Sequence, residues 1–122
     1  MAQHTACITL GDNNFEAEVL AYNGFFVVVF GANWRGACHI IAPVVEQVAP
    51  AFAGRIRVGW LDIDRHPCVP SRYRIHTVPT LLFFSQGRVV DQTNGVISKL
   101  ELIHKLETLL DPPGGQPPSH KG

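Results

Sequence analysis

The chain has 122 residues, 46% hydrophobic and 16% charged, with Lys plus Arg and Asp plus Glu at ten each. That length suits one domain with a modest core. The composition is that of a folded chain rather than a disordered one, and zero net charge gives no electrostatic capture of nucleic acid or an anionic membrane. No apolar run approaches the ~20 residues that cross a bilayer. Met1-Ala2-Gln3-His4-Thr5 has no basic flank followed by an apolar stretch, so no secretory leader is read and a cytoplasmic location is expected. Cys7, Cys38 and Cys68 are odd in number and widely spaced, unlike a secreted disulfide framework, and are expected to be reduced thiols.

Cys7-Ile8-Thr9-Leu10 reads as a short strand ending at Gly11. Asn13 and Glu16 have capping-box spacing, opening a short helix to about Tyr22 with Phe15, Val19 and Leu20 on one side. Phe25 to Phe30 are six consecutive apolar residues, the pattern of a strand buried on both faces. A turn from Gly31 to Gly36 leads into a helix whose inner stripe is Cys38, Ile41, Ala42, Val45, Val48 and Ala49, with Pro43 a source of bending. Arg55 to Ile63 predicts a second central strand, and Pro67 to Tyr73 a short helix or turn. Thr80 to Phe84, the Gln86-Gly87 turn and Arg88 to Val90 predict a β-hairpin. Ser98 and Glu101 form a second capping box, opening a helix that buries Leu100, Ile103, Leu106 and Leu110 and pairs Glu101 with Lys105 outside. Residues 111–122 are rich in Pro and Gly with nothing to bury, and predict a flexible tail after a domain spanning 1–110. The order β-α-β-α-β-α-β-β-α implies an α/β domain, a mixed sheet with helices on both faces.

Several motifs then resemble the thioredoxin family. Phe30-Gly31-Ala32-Asn33-Trp34-Arg35-Gly36-Ala37-Cys38 is similar to that family's active-site segment, a strand running into Trp-Cys-Gly-Pro-Cys at a helix start. Ala42-Pro43 sits where the family has a helix-bending proline, and Asp62-Ile63-Asp64 before Pro67 resembles the end of its third strand. Tyr73 to Thr80 matches the segment carrying its cis-proline, Pro79 here, and Asn94-Gly95 fits a glycine of its substrate groove. The resemblance spans roughly residues 5 to 110 and implies the thioredoxin fold.

At the site the chain departs from the family pattern. Arg35 stands at the position of the attacking cysteine, Val29 at that of the buried acid and Trp60 at that of the neighbouring lysine; Ala37 replaces the intervening proline. Arginine cannot attack a disulfide, so dithiol oxidoreductase activity is not expected. Cys38 matches the resolving cysteine, leaving two readings. One is monothiol exchange in redox homeostasis, with the mixed disulfide released by an outside thiol such as glutathione. The other is a small core residue, since free cysteines are commonly buried and reactivity needs exposure. The resemblance also implies a shallow apolar groove formed by Trp34, Ala37, Val78, Pro79 and Gly95, where Val78 presents backbone groups to an extended peptide. The function expected first is a polypeptide-binding or assembly module. Its partners are a polypeptide client or a redox partner protein, with no nucleic acid or membrane, and a monomer is expected. His76 reads as a solvated loop residue at the rim. Cys38-His39 and His66-Pro67-Cys68 offer ligand types without a recognised metal spacing, so neither metal nor cofactor is expected.

Overall fold

The computed structural model describes residues 7–32 and 36–111. Trp34, Arg35 and positions 112–122 of the tail lie outside the described residues. Among those described, five strands form one sheet: β1 (Cys7–Leu10), β2 (Phe25–Gly31), β3 (Ile56–Asp62), β4 (Thr80–Ser85) and β5 (Arg88–Asn94). Their spatial order is β1-β3-β2-β4-β5. β1 and β2 both run parallel to β3, whereas β4 is antiparallel to β2 and β5 to β4. Parallel strands need long crossovers. A helical turn at Glu16–Leu20 lies between β1 and β2, and α1 (Ala37–Val48), continued by a tighter turn at Ala49–Phe52, lies between β2 and β3. α2 (Cys68–Arg72) precedes β4, and α3 (Lys99–Leu110) follows β5.

The uninterrupted apolar text of β2 has a direct physical cause. Side chains alternate across a strand, and both faces of β2 are covered. Val27 and Val29 pack with Ile41, Val45 and Leu106 of the α1 and α3 layer. Phe26, Val28 and Phe30 pack with Phe15, Val19 and Val69 of the opposite layer. β4 repeats the pattern, Leu81 and Phe83 facing one layer and Leu82 and Phe84 the other. Each large side chain buried in this way contributes roughly 1.5–3 kcal/mol, which makes β2 and β4 the rigid centre on which the loops are mounted.

Local expectations were met unevenly. The Ser98–Glu101 capping box is present: Ser98 Oγ accepts from the Glu101 N–H at 3.1 Å and Glu101 Oε1 from the Ser98 N–H at 3.0 Å. The Asn13–Glu16 box does not form. Phe15 takes the cap position without a side-chain hydrogen bond, and Asn14 closes the turn, accepting from the Gly11 N–H at 2.7 Å and donating to the Thr9 carbonyl at 3.1 Å. That helical segment stops at Leu20 instead of Tyr22. In α3 the fully buried stripe is Leu102, Leu106 and Leu109, so Leu106 is buried as expected, Ile103 and Leu110 are half-buried against the same cluster, and Leu100 is 78% exposed. Both leucine sets have helical spacing, and only the seating of α3 on the sheet selects between them. Nor does Lys105 pair with Glu101. It reaches Asp91 on β5 at 2.6 Å, while the Glu101 carboxylate is engaged in the cap.

Candidate functional site

One row of the sheet builds the site. Phe30 pairs with Thr80, and Thr80 pairs with Asn94. The chain leaving β2, the chain entering β4 and the chain leaving β5 therefore meet at one end of the sheet. Of the groove residues predicted from sequence, Val78, Pro79 and Gly95 are carried to this end together, and the segment after β2 leads from it into α1. The Val78–Pro79 peptide bond is cis. Pro79 is buried and Val78 half-buried. The Gly95 N–H donates to the Pro79 carbonyl at 2.7 Å, tying the two loops directly. Gly95 holds φ +84°, a conformation side chains rarely adopt, yet a Cβ there would meet nothing within 4 Å. Backbone conformation demands the glycine, and the space above it is open.

Gly36, also at positive φ (+57°), is the residue before α1, and its carbonyl accepts the Ile40 N–H at 3.1 Å. In the first turn of α1, Ala37 is exposed and Cys38 is 2% exposed, on the same buried stripe as Ile41, Val45 and Val48. Ile40 on the outer side of that turn is 56% exposed. His76 is exposed.

Val29 is fully buried, opposite Trp60 on β3 and Leu81 on β4. A carboxylate there would be desolvated without a partner, whereas valine packs. Trp60 is half-buried and lines a cleft of about 560 Å³ with Thr9, His39, Glu46, Asp62 and His66. Its side chain hydrogen-bonds Cys7, whose pKa lies above the ordinary thiol value: burial is the main cause, the Glu46 charge adds to it, and the Trp60 bond opposes both. The contact of Trp60 with Cys7 requires the β1–β3 pairing and is not legible in the sequence.

Cys68 is exposed at the start of α2. The Asp12 carboxylate accepts from the Cys68 N–H at 3.1 Å and the Val69 N–H at 2.9 Å, and His66 Nδ1 accepts the Asp12 N–H at 3.3 Å. Burial pushes the Asp12 carboxyl upward, but these donors and the Cys68 thiol outweigh it and hold the pKa below the usual value. Cys7, Cys38 and Cys68 are all free thiols, and among the described residues no group of three or more His, Cys, Asp or Glu could hold a metal ion. No helix among them is long and apolar enough to cross a membrane.

The first turn of α1 thus carries a buried thiol, and the cis-proline loop and the Gly95 turn are joined by a backbone hydrogen bond at the end of the sheet. Comparison with known proteins identifies the family. The thioredoxin family model matches residues 6–108. A thioredoxin of Buchnera aphidicola from Acyrthosiphon pisum is 40% identical over 100 residues, covering 82% of this chain and 93% of its own. One from Acidithiobacillus ferridurans is 37% identical over 105 residues, covering 86% and 97%. Thioredoxin 1 of a Nostoc species is 37% identical over 103 residues, covering 84% and 96%. With matches of this extent over the whole sheet and its helices, the chain belongs to the thioredoxin family.

Proposed function

We propose that this protein binds extended polypeptide, as a client-holding or assembly module, in a groove bordered by Ala37, Val78, Pro79 and Gly95, to which the family resemblance would add Trp34. The observation that carries the reading is the pairing of a 2% exposed Cys38 with an open, hydrogen-bonded Pro79–Gly95 edge. The thiol is withdrawn while the space above Gly95 is open and Val78 is half-buried beside it. An edge of this kind recognises main chain, with alternate side chains adding selectivity. Arg35 has no thiol with which to attack a disulfide, and Val29 has no proton to exchange, so the dithiol cycle of the family lacks two of its parts here. Three free cysteines fit a reducing compartment such as the cytoplasm. Family membership supports a protein, whether client or redox partner, as the class of partner.

The test is fluorescence anisotropy with labelled, reduced and carboxymethylated α-lactalbumin, an unfolded polypeptide without free thiols. The parent and Cys38→Ser should bind alike, and Val78→Asp should weaken binding by about ten-fold or more, the effect of a charge in a desolvated contact. Absence of binding by the parent, or equal loss in both variants, overturns the reading. The alternative is monothiol exchange, in which Cys38 attacks a substrate disulfide, expels one thiolate and is freed by glutathione. What favours it is the place of Cys38 in the first turn of α1. It requires a trapped mixed disulfide that disappears in Cys38→Ser. Arg35→Cys adds a further check: because Val29 and Trp60 remain, the restored pair should still reduce insulin poorly, and brisk turnover would return the protein to dithiol catalysis.

A further inference from the structure

Thr80 is the one polar side chain among the buried described residues, 1% exposed at the head of β4 and directly after Pro79. A buried hydroxyl is costly unless it is hydrogen-bonded. This one donates to the Thr77 carbonyl at 2.6 Å and shares a longer contact, 3.3 Å, with Asn94 Oδ1. Gln92 lies two residues before Asn94 on the same face of β5 and donates Nε2 to that oxygen at 3.0 Å. One residue further, the Gly95 N–H closes on the Pro79 carbonyl at 2.7 Å. The chain from Thr77 to Thr80 is thus tied at both ends, once to itself through the hydroxyl and once to the turn after β5.

Asn94 is exposed at the border of this edge. Its Oδ1 is engaged by Thr80 and Gln92, whereas its Nδ2 has no partner among the described residues. A primary amide carries two donors, and holding the oxygen also holds the plane in which those donors point. Valine or leucine at position 94 would border the edge with bare hydrocarbon; asparagine borders it with an oriented N–H.

We propose that Thr80, Gln92 and Asn94 form a polar latch that sets the gap between the Val78–Pro79 loop and the Gly95 turn, and that Asn94 donates to a main-chain carbonyl of the extended polypeptide held between them. Thr80 and Gln92 are positioning residues, and Asn94 both positions and contacts the ligand. The ligand half of this assignment rests on the polypeptide-binding reading above.

The experiment uses the full chain, the same carboxymethylated α-lactalbumin probe, and amide hydrogen exchange at Gly95. Thr80→Val keeps the shape and removes the hydroxyl. It should weaken probe binding about five-fold and speed Gly95 exchange by about ten-fold, the scale of one lost hydrogen bond, with Thr80→Ser restoring both. Asn94→Asp keeps the acceptor for Gln92 and removes the donor, so it should weaken binding about five-fold while Gly95 exchange stays at the parent rate. If Thr80→Val fails to fold, Asn94→Ala, at an exposed position, removes the same contact and carries the exchange test. Parent-like binding and exchange in Thr80→Val and Asn94→Asp, with Val78→Asp still deficient, would overturn the latch and leave the groove reading standing. A parent that does not bind the probe would remove the ligand half with that reading, and Gly95 exchange would still decide the latch.

Discussion

The two sides of the proposed groove are held by different physics. On one side, β2 and α1 meet through packing: Val27, Val29, Ile41 and Val45 are all buried in one cluster, and the start of α1 has no side-chain cap. On the other side, the Val78–Pro79 loop and the Gly95 turn are held by directional bonds through Thr80, Asn94 and Gln92, on a strand whose own outer positions are exposed. Packing is indifferent to protonation and gives shape without chemical identity. Directional bonds specify both shape and the kind of group that can dock beside them. In the proposed reading the packed side carries Val29 where the family pattern has an acid, and the bonded side carries the groups that an extended chain would contact.

Substitutions that exchange these physics between the sides should separate them, and the largest effect is expected on the packed side. Val29→Asp restores an acid where the family pattern has one, but among Trp60 and Leu81 it would be a buried charge without a partner. It should destabilise the fold by about 3 kcal/mol or more at pH 7, read by urea denaturation. Burial raises the folded pKa of such a group above its unfolded value of about 3.9. The variant should therefore regain stability as pH falls towards 4, because the folded state then binds the extra proton. A variant as stable as the parent at pH 7 would mean that the site contains a polar partner.

On the bonded side the expected loss is smaller. Thr80→Val leaves the Thr77 carbonyl without its donor and should lower stability by about 1–2 kcal/mol, with the same size of loss at pH 5 and pH 8 because no group titrates there. Equal stability of Thr80→Val and the parent would indicate that packing holds this side too.

The smallest effect concerns Asp12, which anchors α2 and, through it, the chain leading into the proline loop. Its folded pKa is depressed, so its contribution is present above the unfolded pKa of about 3.9 and is lost as pH falls through the lower folded value. Asp12→Ala should lower stability by about 1 kcal/mol at pH 7, the usual scale for a capping side chain. It should also flatten the acid limb of the stability curve below about pH 4. An unchanged acid limb would show that the hydrogen bonds to Cys68 and Val69 are not maintained in solution.

Some features of the molecule are set by residues close together in the chain and could be read directly. Six apolar residues in a row require a doubly covered strand, a helical stripe requires a helix with one inner face, and Ser98 and Glu101, three apart, make their box whatever surrounds them. The order of the Gly36–Cys38 turn, the proline loop and Asn94-Gly95 identified the family for the same reason: each piece is local and their sequence is fixed. Positions 30–38 also carry the proposed departure from the family pattern, since Arg35 is a matter of identity alone.

The rest depends on partners distant in sequence. The leucines of α3 fit two helical phases, and the sheet beneath selected Leu102, Leu106 and Leu109. Lys105 had Glu101 one turn away, yet bonds Asp91, fourteen positions earlier, because α3 lies across β5. Thr80 and Asn94 are also fourteen positions apart, and their contact exists only because the hairpin register places them opposite each other. A register shifted by one residue would put their side chains on opposite faces. Sequence alone therefore determined the fold and the family, and it supplied the Arg35 identity on which the proposed loss of the attacking thiol rests. Tertiary structure decided which polar groups meet at the groove, because long-range pairing brings them within the 3 Å or so that a hydrogen bond requires.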